Sequence, residues 1–343
     1  MIPSMAKLSY DPYRDDPEMN YRFDGDFTIR FLQKVASMQT LLRLKREKHL
    51  RIVLVIPTKN EGSIESDSTS NIGTTLDNVM PLKQHGLIDV IQVIDSESTD
   101  DTRKIAQEKG VDVLIASEQS HVLGGAYIQG KGTNLRIAIA NYQAENDLLI
   151  FCDADFAVLS SQIQGVLSPL ICEDNVMISL AWMIRETQRG NPNARLKKGG
   201  RATEGGFRPI MRVFYPELED LQQPICGLYA IRGSAASSCI VPPDYRVETA
   251  LITQIADTYP TSAFAQTFCG TKRQTGQSSE RIADMIQQIV HQATSSAHKV
   301  GRPPRELTEF ISYPTHRDSN GVTVIQREVS SYIAKGYPPA KDS

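Results

Sequence analysis

The sequence has few of the residues that mark several classes of protein. Five cysteines, an odd number without Cys-x-x-Cys spacing, argue against a disulfide framework or a zinc ribbon. Lysine and arginine (37) do not outnumber aspartate and glutamate (40), so we expect no nucleic-acid partner. The chain also lacks an apolar run of the ~18–20 residues that span a bilayer, and its polar start lacks the apolar core of a signal peptide. We therefore expect a cytoplasmic protein with no membrane partner.

The composition is that of a globular chain with a sizeable core. Of the 343 residues, 40% are hydrophobic and 22% are charged, and this length suits about two domains. Residues 1–50 are predicted to form a helical extension. One helical face of this segment carries Ile29, Phe31, Val35, Met38 and Leu42. That face suits packing against the body of the protein, and a membrane-surface helix is the alternative.

From residue 51 the chain alternates between apolar, β-rich runs and helical segments. Strands are predicted at residues 51–58, 90–95, 111–116 and 148–152, and helices at 73–84, 100–109 and 133–144. This order predicts an α/β fold with a doubly wound, mainly parallel sheet. Ligands of such sheets bind beyond the carboxyl ends of the strands. Three polar clusters follow predicted strands and are expected at that edge. They are PTKNEG at 57–62, DSESTDDT at 95–102 and DADF at 153–156.

The clearest of these clusters is Asp153-Ala154-Asp155, directly after the predicted strand at 148–152. Two carboxylates one residue apart can direct oxygens to one divalent cation, and Mg²⁺ or Mn²⁺ accepts few carboxylates together with phosphate oxygens. The same pattern also occurs in solvated turns. Its place after a buried strand favours the metal site.

A glycine-flanked lysine, Gly130-Lys131-Gly132, precedes a predicted helix. With Gly125 it fits the opening of a phosphate-binding loop, but Gly132 stands where that motif needs a metal-binding serine or threonine. We therefore reject an NTPase. A lysine between glycines at a helix start suits a diphosphate contact, and a flexible surface loop is the alternative.

The second half is less regular. Residues 186–209 are rich in glycine and basic residues and predict a long mobile loop, suited to a phosphorylated acceptor or simply solvated. Helices are predicted at 247–258 and 279–297. Glu248 suits hydrogen bonds to sugar hydroxyls or a plain acidic first turn of a helix. The six histidines form no short metal-ligand pair, and no Gly-x-Ser-x-Gly element supports a hydrolase.

Taken in order, these motifs resemble those of GT-A glycosyltransferases, which use nucleotide-sugar donors. The motifs are PTKNE at 57–61, DSESTDD at 95–101, GKG at 130–132 and DAD at 153–155. The later motifs GGRATE at 199–204, QPICGLYA at 223–230 and YRVE at 245–248 narrow the resemblance to glucosyl-3-phosphoglycerate synthases. The resemblance covers residues 50–298 and implies a Mg²⁺ or Mn²⁺ cofactor and a homodimer.

The resemblance also implies roles for individual residues. The donor-binding residues are Pro57, Thr58, Lys59, Glu61, Ser96, Lys131, Asp153, Ala154, Tyr245 and Glu248. The acceptor-binding residues are Gly200, Arg201 and Thr203. Asp155, Lys131 and Glu248 are the residues implied to be catalytic, and Asp153 and Asp155 the metal ligands. The family retains anomeric configuration, so a front-face reaction is implied in which Lys131 and the metal stabilise the departing diphosphate.

Three positions depart from the family pattern. Gln274 and Gly276 stand where the family has a histidine metal ligand and an asparagine that helps bind phosphoglycerate. Gln274 therefore becomes the candidate third metal ligand, since its amide oxygen can serve Mg²⁺. Leu228 stands where the family has an acid.

We predict a nucleotide-sugar-binding GT-A half at 51–158, an acceptor-binding half at 159–300 and a C-terminal tail at 301–343. The predicted reaction moves glucose or a related hexose to 3-phosphoglycerate or a similar small phosphorylated acid. Three alternatives remain open: a GT-A enzyme with a glycan or lipid-phosphate acceptor, an inactive nucleotide-sugar-binding protein, and a nucleotidyltransferase. The last normally has a glycine-rich signature after the first strand, where this chain has PTKNE.

Overall fold

The computed structural model of the protein describes residues 30–31, 36–62, 72–125, 127–155, 157–186, 196–198, 200–218, 221–273, 278–305, 311–318 and 321–327. In these ranges the strands are β1 (Arg30–Phe31), β2 (Arg51–Thr58), β3 (Val90–Asp95), β4 (Asp112–Ile115), β5 (Asp147–Cys152), β6 (Ile178–Glu186), β7 (Leu196–Lys198), β8 (Leu228–Arg232), β9 (Phe264–Arg273), β10 (Ile311–Asp318) and β11 (Gly321–Arg327). The helices are α1 (Met38–Glu47), α2 (Ile72–Gln84), α3 (Thr102–Glu108), α4 (Ser120–Leu123), α5 (Lys131–Asn141), α6 (Ser160–Cys172), α7 (Arg208–Phe214), α8 (Gly233–Ser237), α9 (Val247–Thr258) and α10 (Ser279–Lys299), with a π-helical turn at Thr203–Phe207.

One sheet joins the N-terminal and C-terminal parts of the chain. Its strand order is β1-β9-β6-β8-β5-β2-β3-β4, and β7 pairs with β6. Strands β5, β2, β3 and β4 are parallel neighbours, while β8 runs antiparallel to both β5 and β6. The sheet is therefore mainly parallel, as predicted. Strands β10 and β11 form a separate antiparallel hairpin.

Each face of the sheet has its own hydrophobic core. Along β2, Val53 and Val55 join the core under α5 and α9, whereas Leu54 and Ile56 join the core under α2 and α6. Because side chains alternate along a strand, a strand buried on both faces is apolar throughout. This arrangement confirms the predicted doubly wound fold. No helix in the described ranges is long and apolar enough to cross a membrane.

The predicted bounds of helices and strands agree best with the structure where the local hydrophobic pattern is strong. Strand 90–95 and helix 247–258 have the predicted bounds. Helix α3 starts at Thr102, two residues later than predicted, and the Thr102 N–H donates to Asp100. The Ser98 hydroxyl does not cap this helix, because it donates to the buried carboxylate of Asp95.

Two other predictions need correction. The N-terminal helix is shorter than predicted, because Arg30–Phe31 pairs with the edge strand β9, and α1 begins after the Ser37 N-cap. The loop predicted at 186–209 is ordered in part. Its segment Leu196–Lys198 pairs with β6, and the π-helical turn leads directly into α7. In both cases, pairing with a distant strand selects a conformation that local composition does not specify. The division into donor and acceptor halves stays a prediction.

Candidate active site

The polar clusters converge on one edge of the sheet. Strands β5, β2 and β3 are adjacent and parallel, so their carboxyl ends lie on the same side of the sheet. These strands end at Cys152, Thr58 and Asp95, respectively. The residues that follow these strands therefore meet at the carboxyl edge, where doubly wound sheets bind ligands.

Lys131 lies at the centre of this edge, in the first turn of α5. Its ammonium is 2.6 Å from Asp153 Oδ1 and 2.7 Å from Oε1 of Glu248, in the first turn of α9. Burial disfavours the charged amine, but the carboxylates of Asp153 and Glu248 outweigh it and raise the pKa of Lys131 well above its ordinary value. The structure thus brings together three predicted site residues around a permanent cation.

The two glycines beside Lys131 allow close packing. A Cβ atom on Gly132 would collide with the carbonyl oxygen of Pro242, and one on Gly130 with that of Pro243. The Thr133 N–H also donates to the Pro243 carbonyl at 3.1 Å. These contacts place the start of α5 against the segment that leads into α9, and this packing brings Lys131 to Glu248.

Gly227 contacts both the backbone and the side chain of Asp153. The Asp153 N–H donates to the Gly227 carbonyl at 2.8 Å. Gly227 has φ +81°, and a Cβ there would collide with the Asp153 carboxylate. Sequence reasoning assigned Gly227 no role, although it lies in the QPICGLYA motif. The neighbouring Leu228 is fully buried in the core on the opposite face, so the departure at Leu228 removes no group from beside Lys131.

The donor set fits a divalent cation. Asp153 and Asp155 flank the buried Ala154 immediately after β5, and the Asp153 side chain is 28% exposed. The described part of the chain contains no group of three or more His, Cys, Asp or Glu side chains that could hold a metal. Mg²⁺ is commonly held by one or two carboxylates together with substrate phosphates, so these two suffice. Gln274, the predicted third ligand, and Gly276 lie outside the described residues.

Behind the edge, Asp95 organises the turn after β3. This fully buried carboxylate accepts hydrogen bonds from the Thr58 hydroxyl at 3.2 Å and the Ser98 N–H at 2.9 Å. Asn60, at φ +57°, accepts from the Thr99 N–H and donates its own N–H to the Ser98 hydroxyl. The turns after β2 and β3 are therefore locked to each other.

The predicted donor residues of these turns connect to the segment before α5. The Ser96 hydroxyl donates to Asn134, and Gln129 donates to the Ser96 carbonyl and accepts from Lys59 at 2.8 Å. Pro57 lies half-buried near the end of β2. The Glu61 N–H donates to the Thr102 hydroxyl. Gln129 and Asn134 were not predicted, since their link to Ser96 requires α5 to pack on β3.

The predicted acceptor residues lie at the start of the π-helical turn. The Gly200 carbonyl accepts from the Glu204 N–H, and the Arg201 side chain is exposed. Thr203 is 1% exposed, and its hydroxyl makes no hydrogen bond to a described residue. A buried hydroxyl that has no hydrogen-bond partner among the described residues is suited to bind a polar group of a ligand.

Helix α10 connects this turn with Tyr245. Near its start, Arg281 donates to the Tyr245 hydroxyl at 2.8 Å, and further along Ile286 packs against Gly205 and Gly206. The predicted sugar-binding tyrosine and the predicted acceptor segment therefore contact the same helix. The sequence predicted α10 but not this linking role.

The chain is similar in sequence to a family of known proteins. The family model of glycosyl transferase family 2 matches residues 53–228. The glucosyl-3-phosphoglycerate synthase of Petrotoga mobilis is 29% identical over 234 residues, which is 68% of this chain and 69% of that protein. The synthase of Mycolicibacterium paratuberculosis is 30% identical over 251 residues, which is 72% of this chain and 74% of that protein.

Solved structures share the fold. Glucosyl-3-phosphoglycerate synthase from Mycobacterium tuberculosis, in complex with Mn²⁺ and UDP-glucose, has a TM-score of 0.67 at 23% identity, over 88% of this chain and 94% of that one. The same enzyme with Mn²⁺, UDP-glucose and glycerol 3-phosphate also has a TM-score of 0.67 at 23% identity, over 88% of this chain and 97% of that one. From its match to the family model and its similarity to curated relatives, the chain belongs to glycosyl transferase family 2.

Proposed function

We propose that the protein is a retaining, metal-dependent glucosyltransferase that moves glucose from UDP-glucose to 3-phosphoglycerate or a similar small phosphorylated acid. The observation that carries the proposal is the Lys131 ammonium held between Asp153 and Glu248 at the carboxyl edge of the sheet. The curated relatives support it, since both synthases named above share this activity in their names.

In this proposal each charged group meets a different part of the substrates. Lys131 and the first N–H groups of α5 attract the diphosphate, because a helix N-terminus carries partial positive charge. Glu248 accepts hydrogen bonds from sugar hydroxyls. Arg201, Gly200 and the buried Thr203 hydroxyl hold the acceptor, whose phosphate suits the planar guanidinium.

The metal belongs to the same site. Asp153 and Asp155 would hold Mg²⁺ or Mn²⁺, which supplies positive charge for the departing diphosphate when bound. Lys131 contributes to the same charge balance from the protein side, since its raised pKa keeps it cationic throughout the physiological range.

The setting of the enzyme is also proposed. All five cysteines are free thiols, which supports a reducing compartment such as the cytoplasm. A homodimer is proposed on the resemblance to the synthases alone. Light scattering at micromolar concentration measures the mass directly, and a monomer would contradict the dimer.

The test measures UDP release from UDP-glucose with Mg²⁺ or Mn²⁺, with and without 3-phosphoglycerate. We expect release only with the acceptor, and its loss on addition of EDTA. Asp155→Ala should abolish turnover with the fold intact. Asp174→Ala serves as the matched control, because this carboxylate follows α6 and is 84% exposed. Arg201→Ala should raise the acceptor KM far more than the donor KM.

The alternatives give other results. UDP-glucose binding without release, with 3-phosphoglycerate or any other acceptor, would indicate an inactive sugar-nucleotide-binding protein. Release stimulated by a different acceptor would indicate another transferase of the same fold.

A further inference from the structure

Tyr229 carries a buried hydroxyl that no role assigned above explains. The residue lies on β8 opposite Phe151 of β5, and the two rings pack with centroids 5.2 Å apart. Tyr229 is 2% exposed, yet its hydroxyl makes no hydrogen bond to any residue that the structure describes. A buried hydroxyl without a hydrogen bond destabilises the native state. Phenylalanine would keep the ring contact and avoid that destabilisation.

The side chain lies on the face of the sheet that carries the candidate site. Alternate residues of β8 face opposite cores: Leu228 joins the core beneath α6, and Tyr229 joins the core beneath α5 and α9. The latter two helices carry Lys131 and Glu248. Burial together with the nearby Glu248 carboxylate raises the pKa of the Tyr229 phenol well above its ordinary value, although Lys131 opposes this. The hydroxyl therefore keeps its proton and is available as a donor.

The surrounding groups indicate which chemistry this donor serves. Lys131 already supplies a cation for a phosphate, and Asp153 and Glu248 supply anionic acceptors. A neutral donor next to a carboxylate acceptor complements a group that both accepts and donates one hydrogen bond. A sugar hydroxyl is such a group. A phosphate oxygen only accepts, and it is better served by the ammonium.

We propose that Tyr229 is a further substrate-binding residue, whose hydroxyl donates a hydrogen bond to a hydroxyl group of the transferred hexose beside Glu248. The inference rests on the proposed function and deepens it, because it assigns recognition of the sugar, as distinct from the nucleotide, to the β8 strand. In the substrate-free enzyme the hydroxyl has no hydrogen-bond partner among the described residues, and a hydroxyl of the donor sugar would accept its hydrogen bond.

The test compares Tyr229→Phe with wild type by titration calorimetry, using UDP and UDP-glucose separately in the presence of Mg²⁺. UDP lacks the sugar, so its Kd should stay within about twofold. The Kd and KM for UDP-glucose should rise about 3- to 10-fold, as loss of one neutral hydrogen bond predicts. The melting temperature of the free protein should be unchanged or higher, because the substitution removes an unpaired buried hydroxyl.

Tyr215→Phe is the matched control. Tyr215 is also fully buried, but its hydroxyl donates to Asp257 at 3.2 Å. Asp257 and Glu248 lie nine residues apart on α9, which separates them by about 13 Å along the helix axis. This variant should lower the melting temperature and leave the UDP-glucose Kd unchanged.

Three outcomes would overturn the inference. Unchanged affinities for both UDP and UDP-glucose in Tyr229→Phe, in a protein whose wild type transfers glucose, contradict the role of Tyr229 and leave the proposed function standing. Equal weakening of UDP and UDP-glucose binding indicates a purely structural tyrosine. Failure of the wild type to bind UDP-glucose contradicts the proposed function as well.

Discussion

At the scale of single residues, the charge of Lys131 is matched by two carboxylates drawn from different elements. The side chains of Lys131 and Glu248 are 13% and 8% exposed, and that of Asp153 is 28% exposed. The three formal charges sum to −1, and the nearby Asp155 carboxylate brings the sum to −2, so a bound divalent cation restores neutrality without displacing the lysine. Removal of any member leaves a partly buried charge unbalanced.

A double-mutant cycle tests this balance. Lys131→Met should lower the free energy of unfolding by about 2–4 kcal/mol, because it leaves Glu248 without its lysine counter-charge in a buried position. Glu248→Gln keeps the Lys131–Asp153 pair and should lower it less. The double variant should recover part of the loss, as measured by urea unfolding. Simple additivity of the two single changes would contradict the coupling.

The thiol of Cys239 makes stability depend on pH. Burial raises its pKa from 9.0 to about 11. Below pH 9 both states keep the proton, whereas from about pH 9 to 11 the unfolded chain loses it first and the native state is destabilised. Cys239→Ala should therefore gain about 2 kcal/mol relative to wild type between pH 8 and pH 11 in urea unfolding. Cys172→Ala, at an exposed position, should show a smaller change, and equal changes would contradict the assignment.

At the scale of elements, the start of α5 and the start of α9 form one unit. Gly130 and Gly132 let α5 approach the carbonyls of Pro242 and Pro243. Because α9 follows that segment directly, the approach determines how far Glu248 lies from Lys131. Both helix starts then act together on a ligand at the carboxyl edge.

Gly132→Ala tests this packing. Alanine is the better helix former by ~1 kcal/mol, but its Cβ would collide with the Pro242 carbonyl. We expect the free energy of unfolding to fall by about 2 kcal/mol and the KM for UDP-glucose to rise. Gly125→Ala, a few residues earlier with no atom within 4 Å of the new Cβ, should leave both within error. A Gly132→Ala protein as stable as wild type would refute the close approach.

At the scale of the whole molecule, Arg302 joins the segment after α10 to helix α9 and to the segment that follows α7. Its guanidinium is 2.6 Å from Glu217 and 2.7 Å from Asp257, and it lies 4.3 Å from the ring centre of Tyr215. The end of α10 is thereby held against α7 and α9. Helix α10 also contacts the predicted acceptor segment and Tyr245. The contacts of Arg302 therefore help to position these site residues, although Arg302 itself lies outside the site.

Arg302→Leu should lower the free energy of unfolding by about 2–4 kcal/mol, because Asp257 is 10% exposed and loses its cation. Urea unfolding measures the change. Arg43→Ala provides the control, since the Arg43–Glu47 pair is more than half exposed and contributes at most about 0.5 kcal/mol. Similar effects of the two substitutions would show that Arg302 is only a surface contact.

The sequence by itself determined the α/β class, the parallel strands β2 to β5 and the edge at which the polar clusters lie. These properties follow from local patterns, because an apolar strand between two helices must be buried on both faces. Strand β3 has its predicted bounds for that reason, and helix α9 has its predicted bounds because its apolar residues also form a local pattern. The order of motifs along the chain also sufficed to indicate the family.

Only the tertiary structure decided which residues meet. Lys131 and Glu248 are 117 positions apart, and their contact depends on the approach of two glycines to two prolyl carbonyls. Gly227 and Tyr229 acquire roles only because β8 lies beside β5. The strand at Arg30–Phe31 likewise exists through pairing with β9. In each case the interacting groups are distant in sequence, so no local pattern encodes the contact, and packing of the whole sheet brings them together.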